Sequence, residues 1–279
     1  DFRKKSDCMC ALTATAVRWT RWKVKHRTCF GPQWIKTFGL TEHEAECMEL
    51  WLSINLYSIT RGINRFKGLR WRSRRWRREV SVTSRGLAEY EAWTKEAKEL
   101  SNPALLAVTQ KSDNPCFEKA LLWSIRTNRA IHALPAEDRP FPNVKSAMDA
   151  MAKQADLAAV SSANREAVEA EWGRHHLAED CSTLLTQEAG TKAFCIGELR
   201  KMGMSPADSD VGDAPGDRDA AEKNGVRFYP ILVGHEGESW KRLLEEAFPK
   251  LLAGSFDAEY QKELNQAFER NLGVHADSE

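Results

Sequence analysis

The most chemically distinctive stretch of the chain is Arg70-Trp71-Arg72-Ser73-Arg74-Arg75-Trp76-Arg77-Arg78. Guanidinium forks bind phosphate oxygens through paired donors, and an indole face stacks on an unpaired base or on another guanidinium. The interleaving therefore suits RNA or another polyanion, held without sequence readout. It equally suits an acidic protein surface, with Trp71 and Trp76 as packing anchors. Trp19 and Trp22, set among Arg18, Arg21 and Lys23, extend the same character toward the N-terminus.

Thiol and imidazole groups gather in the same third of the chain as Cys8, Cys10, His26, Cys29, His43 and Cys47. These are zinc-ligand types, but C-x-C is shorter than the usual paired spacing and the His–Cys intervals form no familiar finger. His175-His176, near Glu171, Glu179 and Asp180, offers at most two ligands from one helix. No metal is expected, with His175, His176, Cys29 and Cys47 as the weak candidates. Asp208–Asp219 carries carboxylates at the first, third and twelfth positions of a calcium-type loop, but places Asp213 where the turn wants Gly and Asp219 where a bidentate Glu belongs. A solvated acidic loop is the expectation there. Gly234-His235-Glu236-Gly237 lacks the pattern of a phosphate loop, and no nucleophile elbow, kinase set or dinucleotide fingerprint occurs, so no cofactor is expected and the catalytic residues are unknown.

These groups must be held by elements that the sequence presents mostly as helices. Thr41-Glu42-His43-Glu44 matches a capping box and opens a helix to about Ile59. Further helices are expected over about Leu87 to Leu100, from Asn114-Pro115 to Leu134, and through the Ala-rich stretch from Asn143 to Glu188. Glu238–Leu252 and Asp257–Leu272 read as amphipathic helices, the last placing Tyr260, Leu264, Phe268 and Leu272 four apart. Val80–Thr83 and Val226–Val233 read as short strands. The fold expected is mainly α: a helical body with a few short β-strands and a basic, irregular N-terminal arm. The divisions are an arm and buried helix over 1–86, a helical body over 87–202, an acidic loop over 203–225, and a strand with two helices over 226–279.

Residues 41–68, TEHEAECMELWLSINLYSITRGINRFKG, resemble the opening helices of ADP-ribosyltransferase toxins, where a capped helix leads to an Asn-x-x-Leu-Arg-Gly-type segment. The resemblance covers about a tenth of the chain. The Arg, Ser-Thr-Ser and Glu-x-Glu elements it would require downstream are not evident, so it transfers no residue role and no membership.

The 41 basic and 40 acidic side chains nearly cancel, yet the cancellation is between segments. Residues 1–90 carry about 19 basic and 8 acidic side chains against about 22 and 32 in the remainder. With 42% hydrophobic residues the chain is neither collagen-like nor wholly disordered, and its seven scattered cysteines form no disulfide framework. No apolar run is long enough for a membrane span, although peripheral membrane contact fits the basic segment. The chain opens on Asp1, which fits removal of a targeting peptide, so a soluble intracellular protein, of an organelle matrix or stroma, is expected. The leading functional expectation is a non-catalytic accessory or scaffold subunit of a larger, organellar assembly. It would dock through the basic region onto RNA or onto other protein subunits. The alternative is a nucleotide-handling transferase with dispersed catalytic residues.

Overall fold

A computed structural model describes residues 4–17, 20–69, 84–135, 139–163 and 165–273. The expected strand at Val80–Thr83 and the run Arg70–Arg78 lie outside the described residues, as does Trp19. The chain divides into unit 1, residues 1–22 with 137–279, and unit 2, residues 23–136.

Unit 1 is built on five strands: β1 (Cys8–Thr13), β2 (Ala155–Val160), β3 (Cys181–Leu185), β4 (Ser209–Gly212) and β5 (Arg227–Pro230). They form one sheet in the order β3-β2-β1-β4-β5, with every neighbouring pair parallel. Parallel neighbours need crossover connections, and here helices supply them, which makes this an α/β doubly wound architecture. The expectation of a mainly α chain with an irregular basic arm is thereby corrected, since Cys8–Thr13 of that arm is the central strand. The reason is physical. Helices cover both faces of a parallel sheet, so its strands need no alternation of apolar and polar residues, and CMCALT and ADLAAV look like an aperiodic arm and an Ala-rich helix.

The two faces can be told apart residue by residue. Cys8, Cys10 and Leu12 of β1, Leu157 and Ala159 of β2, and Val211 of β4 pack with Val144, Met148, Val168, Trp172 and Trp240 of the flanking helices. Met9 and Ala11 of β1, Ala158 and Val160 of β2, and Phe228 of β5 face Cys195, Ile196, Leu199, Ala220, Ala221 and Phe268. The N-terminal edge is fastened by Asp156, which accepts the amides of Lys5 (2.6 Å) and Ser6 (2.8 Å) and the Ser182 hydroxyl (2.9 Å). The helix Ala258–Leu272 starts as expected, with the Asp257 side chain accepting the Tyr260 amide at 2.8 Å.

Two further expectations change. The Ala-rich stretch 143–188 is the helix Val144–Met151, then β2, the helix Arg165–Gly173 and β3. The acidic loop 203–225 contains β4 and the helix Pro215–Lys223, because SDVG is short but wholly buried between two strands.

Unit 2 is helical, with Gly31–Phe38, Glu44–Leu56, Ser84–Glu96, Asn102–Thr109 and Pro115–His132 as its main helices. Thr41–His43 forms a 3-10 turn rather than a capping box, and the helix begins at Glu44. Its core is aromatic. Phe30, Trp34, Trp51 and Trp123 stack, tilt or meet edge-on at centroid separations of 5.6–6.2 Å. Trp51 Nε1 donates to His26 Nδ1 at 2.9 Å, and Trp123 Nε1 to the Phe30 carbonyl at 3.2 Å. The Arg65 guanidinium lies 4.9 Å from the Phe30 ring centroid and donates to Asn128 Oδ1, while burial draws its pKa down. No helix among the described residues is long and apolar enough to cross a membrane.

Candidate active site at the carboxyl edge of the sheet

In the sheet of unit 1 the chain crosses from β1 to β2 on one side and lies against β4 on the other, so the strand order reverses about β1. In open α/β sheets such a reversal leaves a crevice outside the carboxyl ends of the strands, where ligands bind. The residues that reach this edge are Thr13 at the end of β1 and Thr15 just beyond it, Ser161 after β2, and Asp213 after β4. Lys192, from the first turn of the helix Lys192–Lys201, and Asp217, from the first turn of Pro215–Lys223, complete the group.

Their hydrogen bonds tie distant segments together. Thr15 Oγ1 donates to Asp213 Oδ1 at 2.5 Å. Asp217 Oδ2 accepts the amides of Asp213 (3.1 Å) and Ala214 (3.0 Å), and its Oδ1 is ion-paired with Lys192 Nζ. Asp217 is fully buried, whereas the Lys192 side chain keeps 23% of its exposure. Burial opposes the charge on Lys192, but the ion pair with Asp217 and the nearby Asp213 outweigh it and raise its pKa.

Gly212 makes the arrangement possible. A β-carbon there would lie 2.3 Å from Asp217 Cβ, so only glycine lets Asp217 come down onto the strand. In the register of β1 against β4, Ala11 pairs with Asp210 and Leu12 with Val211, which sets Thr13 and Gly212 on the same face. Asp210, two residues before Gly212, shares that face and is buried. Thr13 Oγ1 and Asp210 Oδ1 are both buried and have no hydrogen-bond partner among the described residues. Burial is the first reason the Asp210 carboxyl is pushed well above the usual carboxylate range; the charge of Asp217 adds to it, and Lys192 opposes it. Chemically, the site offers an ammonium that can meet an anion, hydroxyls at two strand ends, and a carboxylate pair beside a third carboxyl whose charge burial disfavours.

The residues singled out from sequence fall elsewhere. Trp22 is half-buried on the short helix Thr20–Val24. Cys29 and Cys47 are buried in unit 2, and Cys8 and Cys10 lie on β1 in unit 1. His175 and His176 follow the helix Arg165–Gly173; His176 has φ 55° and its Nδ1 lies 2.7 Å from Glu179 Oε1 on an exposed surface. Among the described residues, no group of three or more His, Cys, Asp or Glu side chains could hold a metal ion. Sequence reading passed over Thr13, Thr15, Lys192 and Asp217, and met Asp210 and Asp213 only as positions of a calcium-type loop. The signal was the Val211-Gly212-Asp213-Ala214-Pro215-Gly216-Asp217 segment, where Pro at the first helical position marks a helix start rather than a calcium loop.

No protein-family model matches the sequence, and no curated protein matches it. Solved structures do show likeness. A haloacid dehalogenase-like family hydrolase from Xanthomonas campestris is 10% identical, with TM-score 0.46, covering 91% of this chain and 96% of its own. A putative phosphoglycolate phosphatase from Lactobacillus plantarum is 8% identical, with TM-score 0.44, covering 84% and 90%. A haloacid dehalogenase-like family hydrolase from Streptococcus pneumoniae is 10% identical, with TM-score 0.43, covering 84% and 90%. At these TM-scores none of them assigns a substrate or a residue role to this chain. The expectation of a non-catalytic structural subunit docking through an irregular basic arm is corrected by the fold: Cys8–Thr13 of that arm is the central strand of a parallel sheet, and polar groups gather at the carboxyl edge of that sheet.

Proposed function

We propose that this chain is an enzyme that handles small phosphate esters at the carboxyl edge of β1 and β4, moving a phosphoryl group to water or to another acceptor. The observation that carries the reading is the buried Lys192–Asp217 ion pair, bonded on to the amides of Asp213 and Ala214, with Thr15 fixed on Asp213 beside it. A structural ion pair has no need to stand at the strand-order reversal, nor to leave its lysine side chain partly exposed. Lys192 would meet the phosphoryl oxygens as a point charge. Asp213 and Asp217 would orient the hydroxyls and the ammonium and accept protons. This keeps the dispersed-residue alternative of the sequence reading and widens its substrate class from nucleotides to phosphate esters in general.

The test is release of inorganic phosphate by the full chain from a panel of small phosphate monoesters and nucleotides. The expected result is turnover of at least one member and a loss of at least 100-fold in the Lys192→Met and Asp213→Asn variants with the fold intact. Absence of turnover across the panel, or full activity in both variants, would overturn the reading.

A further inference from the structure

We propose that Asp210 carries the proton that allows Lys192 to leave Asp217 for an incoming phosphate-type anion, so that anion binding at the sheet edge is coupled to that proton. The inference rests on the phosphate-ester reading and deepens it by naming how the site changes from a closed ion pair to an open anion seat.

The argument starts from a conflict. Lys192 is the cationic side chain bonded to Asp217, and an anion that takes the ammonium leaves a fully buried carboxylate with only two backbone amides. A buried carboxylate that loses its counter-charge needs a new donor. Asp210 is placed to be that donor. It stands on β4 two residues from Gly212, on the face over which Asp217 lies, and it is 2% exposed. Its Oδ1 has no partner among the described residues, so the carboxyl is not committed elsewhere through that atom. Thr13 Oγ1, buried and equally without a partner, is a second polar atom on the same face, one strand away.

The titratable groups facing Asp210 come from each neighbouring element. Lys192 comes from the helix Lys192–Lys201 and Asp217 from Pro215–Lys223, while Asp213, in the turn after β4, acts on Lys192. Cys10 of β1, on the opposite face of the sheet, is a buried thiol raised by its hydrogen bond to Cys8, by burial and by the nearby carboxylates. Burial and the charge of Asp217 favour the protonated form of Asp210, against the smaller pull of Lys192.

The protons balance. Without an anion, Lys192 is paired with Asp217 and Asp210 is a neutral acid. With the anion bound, Lys192 pairs with it and the Asp210 hydroxyl donates to Asp217, with no bond to hydrogen gained or lost overall. Once solution pH exceeds the titration of Asp210, the same binding requires uptake of one proton, and affinity falls about tenfold per pH unit.

The experiment measures sulfate binding to the full chain by calorimetry from pH 6 to pH 10, in buffers of different ionisation enthalpy. Sulfate stays a dianion over that range, so the ligand contributes no titration of its own. The wild-type chain is expected to lose affinity at the alkaline end with uptake of one proton. Asp210→Asn, neutral at every pH and still a donor, is expected to bind with flat pH dependence, and Asp210→Leu, with no donor, to bind at least tenfold more weakly throughout. An Asp210→Asn profile that follows the wild type, or wild-type binding that is flat from pH 6 to pH 10, overturns the inference. If Asp210→Asn does not fold, carbon-13 titration of aspartate-labelled wild type decides: a buried carboxyl protonated at neutral pH supports the inference, and its absence overturns it. Phosphate-ester turnover on the same samples separates the two ideas. Turnover with pH-independent sulfate binding removes only the proton coupling. Neither binding nor turnover at any pH removes the phosphate reading as well.

Discussion

Replacing Gly212 by Ala is the sharpest perturbation of the sheet edge. The added β-carbon would sit 2.3 Å from Asp217 Cβ, 2.7 Å from its Cγ and 2.8 Å from its Oδ2. Carbon atoms pack at about 3.5–4.0 Å, so Asp217 must retreat by roughly 1 Å or more. Its Oδ2 bonds to the amides of Asp213 and Ala214, at 3.1 and 3.0 Å, then stretch beyond hydrogen-bond length. Two charge-assisted bonds at about 1.5–3 kcal/mol each set an upper range of roughly 3–6 kcal/mol, and partial relaxation brings the expected cost to about 3–5 kcal/mol. For a unit of this size that corresponds to a Tm lower by about 10 °C. Gly216→Ala is the control, because nothing lies within 4 Å of its added β-carbon and the site is on the helix Pro215–Lys223. It is expected to be neutral or to stabilise by up to about 1 kcal/mol. Urea denaturation of both variants is the assay. A Gly212→Ala variant within 1 kcal/mol of the parent, or one matched by Gly216→Ala, would refute the close approach of Asp217 to the strand.

Asp156→Ala is expected to cost about 3 kcal/mol in the same assay, since it removes the acceptor of two amides and a hydroxyl at once, with Asp156→Asn losing less; a parent-like Ala variant would contradict that role. The thiols of Cys116 and Cys181 are pushed up to about 11 and about 12, chiefly by burial. At pH 8 roughly one Cys116 in a thousand and one Cys181 in ten thousand is a thiolate. Native iodoacetamide labelling should therefore spare both, and labelling of either at the rate of a free thiol would show the environment to be wrong. Asp210 keeps its proton in the fold above the pH at which the unfolded chain, near 3.9, gives it up, so the folded state binds more protons there and stability falls as pH rises. The slope is about 1.4 kcal/mol per pH unit for one group. Asp210→Asn should remove that contribution, giving a flatter stability profile as pH rises above the unfolded value, and an unchanged slope would show that Asp210 titrates normally.

Helices with caps were legible because their determinants are local. Asn114 before Pro115 starts the helix as expected, its side chain accepting the Cys116 amide at 2.9 Å, and Asp257 does the same for the last helix. Tyr260, Leu264, Phe268 and Leu272 are all buried, as their spacing implied. The sheet was illegible for the opposite reason. Each strand is four to six residues long, and its pairing partner lies far away in sequence, as with Cys10 beside Leu157 on one side and Ser209 on the other. Met9 and Cys10, adjacent in sequence, are buried on opposite faces, so β1 shows neither helical nor alternating polarity. The candidate site shared that fate. Thr13, Lys192 and Asp217 belong to three separated segments, and only the strand order brings them to one edge. The Arg/Trp run drew the eye because its residues are contiguous, whereas the sheet-edge cluster is assembled from ordinary residues by topology.

The central claim is that the edge formed by β1 and β4 receives a phosphate-type anion through Lys192. The most direct test is a crystal of the full chain soaked in tungstate, a heavy phosphate mimic located by its anomalous signal. The account expects one strong peak within hydrogen-bond reach of Lys192 Nζ, about 3 Å, on the face that carries Thr13 and Gly212, and loss of that peak in Lys192→Met. Tungstate bound only elsewhere, or an unchanged peak in the variant, would contradict it.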